Sequence, residues 1–131
     1  MFNSSTQNSA VLLGRVLLAA IFILSGFSKI GGYAGTVGYM ESKGVPGILL
    51  PLVILTELGG GLCILAGFQT RIVAFLLAGF CLVSGILFHF QPAVMEQMTN
   101  FLKNVAMAGG FLVLMANGPG AFSVDGWMKK A

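Results

Sequence analysis

The chain has 131 residues, of which 56% are hydrophobic and only 8% charged, with a formal net charge of +3 at pH 7. Soluble domains carry about 25% charged residues, so a chain this poor in charge belongs in a membrane rather than in water. Its seven basic residues are scattered, which excludes a nucleic-acid surface or a polybasic lipid patch, and its length suits one domain, residues 1–131.

Residues 1–9, MFNSSTQNS, lack the basic start of a signal peptide, and the apolar stretch behind them is too long for a signal core. A spanning helix needs roughly 20 apolar residues. The first predicted span covers residues 10–30, with Arg15 inside it and Lys29 closing it. Residues 31–47 form the longest connection. Tyr33, Tyr39 and Met40 beside Glu41 and Lys43 predict a short interfacial helix there, because tyrosine favours the headgroup level. The second span, residues 48–68, has Glu57 as its only charge, followed by Gly59, Gly60 and Gly61. A tight turn leads to the third span, residues 71–90, opened by Arg71 and closed by His89. Residues 91–100 form a loop opened by Pro92, and residues 101–117 form a shorter fourth span with Lys103 near its start. The expected fold is an all-α integral membrane four-helix bundle. A faint repeat, Arg15 with Ser25-Gly26 against Arg71 with Ser84-Gly85, suggests two tandem helical hairpins. One end of the bundle holds Arg15, Arg71, Lys129 and Lys130; the other holds Lys29, Lys43 and Lys103. That bias favours cytoplasmic termini.

An ionised carboxylate at mid-membrane costs about 2.5–3.5 kcal/mol on insertion scales, so it faces the bundle interior and finds a partner. Glu57 lies roughly 13 Å into its helix at 1.5 Å per residue. Gly60 and Gly61, at i+3 and i+4, share its face; they allow a neighbouring helix to approach and leave room for a partner, a water or a ligand. Lys29, His89, Lys103 and Asn104 come to the same outer layer and are expected to wall a polar pocket with Glu57 as its deepest acid. Lys103 or Lys29 is the expected counter-ion, with Arg15 a third candidate if the first helix is shifted. Snorkelling to the headgroups accounts equally well for Lys29, His89 and Lys103 taken singly, and Arg15 and Arg71 also serve as topology signals. Cys63 and Cys81 are expected about 9 Å apart in depth, beyond a disulfide's reach of about 7 Å between Cα atoms, which predicts free thiols. The residues offer no zinc-ligand set, no nucleotide-binding glycine loop and only one histidine, so no metal is expected.

The ordered segments GRVLLAAIFILSGFSKI, GVPGILLPLVILTELGGGLCILAGFQTR, LFHF, FLKNVAMAGGFLVL and GPGAFSVD resemble the DoxX family of small bacterial membrane proteins over residues 11–126. The resemblance implies a multi-pass inner-membrane protein and an oxidoreductase label. The family name derives from the small subunit of a thiosulfate:quinone oxidoreductase, and relatives are associated with responses to quinones, catechols and thiol oxidants. A quinone or catechol-like ring would then be the pocket's ligand. Arg15, Lys29, His89, Lys103 and Asn104 would be its polar contacts, Glu57 and His89 its proton relays, and Phe22, Phe88, Phe90 and Phe111 its flanking rings. A soluble redox partner and a homodimer are further expectations. A small-molecule or proton-coupled transporter component and a membrane anchor for a soluble oxidoreductase are the competing functions.

Overall fold

A computed structural model describes residues 3–130; Met1, Phe2, Ala131 and the side chain of Lys130 lie outside the description. Its secondary structure is helical throughout, with no strand among the described residues. Helix α1 runs over Ser4–Gly31, α2 over Tyr33–Ser42, α3 over Leu50–Ala66, α4 over Thr70–His89, α5 over Met95–Asn117 and α6 over Val124–Lys130. Four stretches, Ser4–Gly31, Gly47–Ala66, Thr70–His89 and Met95–Asn117, are long and apolar enough to cross a membrane.

Local chemistry sets the helix ends. Asn3 starts α1 by accepting from the Thr6 amide at 2.7 Å, the usual N-cap bond. Pro46 and a 3₁₀ turn over Gly47–Leu49 lead into α3, whose first turn carries Pro51, where a missing N–H costs nothing. Gly67 ends α3 in the left-handed region (φ 73°), which lets its own amide reach Ile64 O and the Phe68 amide reach Cys63 O. The second span therefore stops two residues before its predicted end.

The helices outrun the apolar windows at two places. α1 begins at Ser4 rather than residue 10, and α5 begins at Met95 rather than residue 101. The expected loop 91–100 shrinks to a few residues after His89, because Met95–Asn100 are adequate helix formers that need no apolar environment. The predicted interfacial helix exists as α2. It buries Met40 and leaves Tyr33 and Tyr39 partly exposed.

α1 packs along α3 and α4 along α5, far more extensively than either pair meets the other. The bundle is thus two hairpins laid side by side. Close approach within and between them occurs at glycines. A Cβ on Gly26 would stand 2.6 Å from Leu58 Cγ, one on Gly61 2.9 Å from Ile23 Cγ1, and one on Gly60 2.9 Å from Leu77 Cδ2. The core between the hairpins comprises Ala19, Phe22, Ile64, Ala74, Leu77, Ala78, Cys81, Ala108, Phe111 and Leu114. Leu13, Leu17 and Leu24 on α1, like the other outward leucines, valines and phenylalanines, are exposed and form the lipid-facing surface.

Candidate functional site

Glu57 is only 6% exposed and sits where the two hairpins diverge, toward the end of the bundle away from the chain termini. Its partners lie on α1, one turn apart. Ser25 Oγ donates to Glu57 Oε2 at 3.0 Å, and Lys29 Nζ donates to Ser25 Oγ at 2.7 Å. Lys29 Nζ also stands 2.8 Å from Glu57 Oε1, the one ion pair among the described residues. That last contact is close but poorly aligned, so Oε1 has charge compensation without a directed hydrogen bond. Of the three expected counter-ions, Lys29 takes the role. It folds inward instead of reaching outward to the headgroups.

The second hairpin contributes a neutral counterpart. Asn104 Nδ2 on α5 donates to Cys81 O at 3.1 Å and to Ser84 Oγ at 3.2 Å on α4. Gly85 makes this possible, since a Cβ there would meet the Asn104 side chain at 3.2 Å. At the end of α4, His89 Nδ1 lies 2.9 Å from Gln97 Oε1.

Between these clusters lies a cavity of about 580 Å³. Glu57, Lys29 and Ser25 line one side and Asn104, Ser84 and His89 the other. Phe22, Phe80 and Phe88 supply its aromatic surfaces, and Cys81 adds a buried free thiol. α2 roofs it. Tyr39 stacks on Phe88 with ring centroids 5.7 Å apart and donates its hydroxyl to Phe88 O at 3.3 Å. Phe22 closes the floor, edge-on to Phe111 at 5.4 Å.

Several expectations require correction. Lys103 is exposed on α5 and does not line the cavity, because one helical position separates it from the inward-facing Asn104. Phe111 belongs to the core below the cavity, and Phe90 is exposed against Phe101. Gly60 and Gly61 leave no room for a ligand. Leu77 occupies the space beside the first and Phe22 and Ile23 the space beside the second. Arg15 does not line this cavity. It is 1% exposed at the opposite end of the bundle. Its Nε donates to Ile64 O at 3.1 Å and Nη2 to Leu65 O at 3.1 Å, satisfying the last carbonyls of α3, while Nη1 donates to Pro119 O at 2.7 Å and Phe122 O at 2.9 Å. Arg71 does the same for α5, donating to Met115 O at 2.9 Å and Ala116 O at 2.8 Å.

Sequence reasoning passed over Asp125. Its carboxylate accepts from the amides of Gln69 at 2.8 Å and Thr70 at 2.9 Å and so caps α4 from the far end of the chain. Partial burial works to raise the Asp125 pKa, but these two backbone bonds and the nearby Arg15 charge outweigh it and hold the group below its usual range. Its partner Thr70 lies 55 residues away in the chain, a separation that no local pattern reports.

Fold and site together define a small multi-pass membrane protein with a carboxylate–ammonium pair on one wall of an aromatic-lined cavity. The chain belongs to the DoxX family, whose profile matches residues 10–90. It is 50% identical over 124 residues to inner membrane protein YqjF of Escherichia coli (strain K12), covering 95% of both chains. It is 39% identical over 122 residues to inner membrane protein YphA of the same organism, covering 88% of this chain and 87% of that one. A Bacillus subtilis (strain 168) protein named "Putative oxidoreductase CatD" is 37% identical over 76 residues, 58% of this chain and 56% of that one. No solved structure matches. The four spans and the inner-membrane relatives make this an inner-membrane protein.

Proposed function

We propose that the cavity is a binding site for a small oxygenated aromatic ring of quinone or catechol type, and that the protein is the membrane component of an oxidoreductase acting on it. The observation that carries this reading is the pairing of aromatic walls with polar clusters on opposite hairpins, Glu57–Lys29–Ser25 facing Asn104–Ser84 and His89. A flat ring bearing oxygens on two edges matches that layout, with apolar faces for Phe22, Phe80 and Phe88 and polar edges for the clusters. The name of the Bacillus relative supports the oxidoreductase part of this reading alone.

Interconversion of such a ring between its diol and dione forms moves two electrons and two protons. Glu57 and His89 are the groups in the cavity suited to the protons. The electrons pass to or from a separate redox protein. With the termini in the cytoplasm, the cavity lies in the outer half of the membrane and α2 at its outer surface.

The test is extraction and mass spectrometry of small molecules from purified wild type and Glu57→Gln, followed by titration with a short-tailed ring in detergent. The expected result is a ring in the wild type, lost from the variant, and an affinity at least about tenfold weaker in the variant, equivalent to about 1.4 kcal/mol. Absence of a co-purified ring together with unsaturable titration of folded wild type would leave Glu57–Lys29 as a clasp between helices only.

A further inference from the structure

The hydrogen-bonding capacity left over in the cavity is weighted toward acceptors. Three hydroxyls there commit their hydrogen to backbone carbonyls: Thr36 to Gly32 O at 2.9 Å, Tyr39 to Phe88 O at 3.3 Å and Ser84 to Cys81 O at 3.4 Å. Ser25 commits its own to the Glu57 carboxylate. Carbonyl and carboxylate oxygens only accept, so each hydroxyl hydrogen has a fixed destination and only lone pairs remain for a ligand.

Asn104 is oriented by the same logic. Cys81 O accepts only, so the amide nitrogen must face it; the reversed amide would set two carbonyl oxygens against each other. Asn104 Oδ1 is thereby left without a protein partner among the described residues, at the cavity wall. Across from it, Glu57 is nine-tenths buried, lines the same cavity, and has no aligned donor at Oε1. The donors that remain are few. The Lys29 ammonium is drawn to Ser25 and Glu57, His89 Nδ1 faces the acceptor Gln97 Oε1, the Cys81 thiol is a weak donor, and Ser28 is exposed at the rim.

We infer that the cavity recognises its ligand through the ligand's own hydroxyl groups. It takes a dihydroxylated aromatic ring in preference to the corresponding dione, with Asn104 Oδ1 and Glu57 as receiving atoms and Asn104 as the specificity determinant. The inference rests on the ring site proposed above and names which member of the redox pair that site holds. A diol supplies a donor at each edge. A dione supplies only acceptors and would face acceptors with its own, leaving groups on both sides unpaired, which is the circumstance in which polar sites discriminate most strongly.

The test uses purified full-length protein in detergent, under argon, titrated calorimetrically with three short-tailed rings of one skeleton: the diol, its dimethyl ether and the dione. The ether keeps the shape and removes the donors. Wild type is expected to bind the diol at least about tenfold more tightly than either alternative. Asn104→Leu should remove most of the diol's advantage over the ether, the part left being the hydroxyl that Glu57 receives, while leaving the ether unchanged; Asn104→Asp, which keeps an acceptor, should retain the preference. A dione that binds as tightly as the diol overturns the inference, as does an Asn104→Leu variant that weakens all three alike. Saturable binding of all three without preference sinks this inference and leaves the ring site standing; failure of all three to saturate removes both. The wild-type series decides the matter even if a variant does not fold.

Discussion

Replacement of Arg15 by Met separates a structural role from a topological one. The side chain is buried, nearly isosteric with Met along its stem, and gives four N–H bonds to carbonyls of Ile64, Leu65, Pro119 and Phe122. Hydrogen bonds to charged groups contribute about 1.5–3 kcal/mol each, so a naive sum for the four is about 6–12 kcal/mol. That sum is too large, because the freed carbonyls lie at the end of the bundle and recover water once the C-terminal segment lifts. Breaking a buried charged cluster by removing one partner costs about 3–5 kcal/mol, and that is the expected loss for Arg15→Met. Arg71 makes similar bonds but is exposed, and Arg71→Met should cost under about 1 kcal/mol. Unfolding in mixed micelles of rising SDS fraction, followed by far-UV circular dichroism, measures both. An Arg15→Met protein within about 0.5 kcal/mol of wild type, or an equal loss in Arg71→Met, would refute the reasoning and leave Arg15 a topology signal.

The same assay on Lys29→Met, Glu57→Gln and the double variant should give a coupling of about 0.5–3 kcal/mol, and additivity would mean that the 2.8 Å contact holds nothing together. Gly61→Ala should destabilise by about 1–3 kcal/mol, because its new Cβ would meet Ile23 Cγ1 at 2.9 Å and the Ile23 backbone nitrogen at 3.3 Å. Gly59→Ala, whose Cβ would meet nothing nearer than 3.8 Å, should be neutral or stabilise by up to about 1 kcal/mol; equal effects would contradict the packing described. Asp125 has a folded pKa held below its ordinary 3.8, so it adds stability that is complete above about pH 4 and is lost as pH falls through the depressed value. Fluorescence anisotropy of Trp127, the only tryptophan and two residues from Asp125, should therefore fall on acidification in wild type, whereas Asp125→Asn should lack that step.

Hydropathy made the four spans legible, and the cost of a mid-membrane carboxylate made Glu57 legible as an inward residue with a partner. The identity of the partner was not. Lys29 and Lys103 occupy similar depths, and only the helix rotation, which the packing of Gly26 on Leu58 and Gly85 on Asn104 decides, turns one inward and the other out. Arg15 misled for a related reason. A buried base near an acid suggests a pair, but backbone carbonyls at helix ends are equally good partners and carry no sequence signature. Asp125 and the α2 roof depend on contacts between segments far apart in the chain, which no local pattern encodes.

The faint repeat in the sequence explains why the site is lopsided. In each hairpin an arginine on the first helix satisfies the last carbonyls of the second, Arg15 for α3 and Arg71 for α5. In each a Ser-Gly pair, Ser25-Gly26 or Ser84-Gly85, receives a polar side chain from the facing helix, Glu57 in one and Asn104 in the other. Ten residues separate Arg15 from Ser25 and thirteen separate Arg71 from Ser84, so the second hairpin is about one helical turn longer between its two fixed points. The position four residues beyond the serine is Lys29 in one hairpin and Phe88 in the other. One scaffold thus carries an acid with its ammonium partner on one wall and an amide beside an aromatic ring on the other. Two identical hairpins would have set carboxylate against carboxylate across the cavity, each raising the cost of ionising the other. With Asn104 rather than a second acid on the facing wall that repulsion is absent, so the asymmetry that blurs the repeat in the sequence leaves Glu57 facing a neutral amide, with Lys29 as its one ionic partner among the described residues.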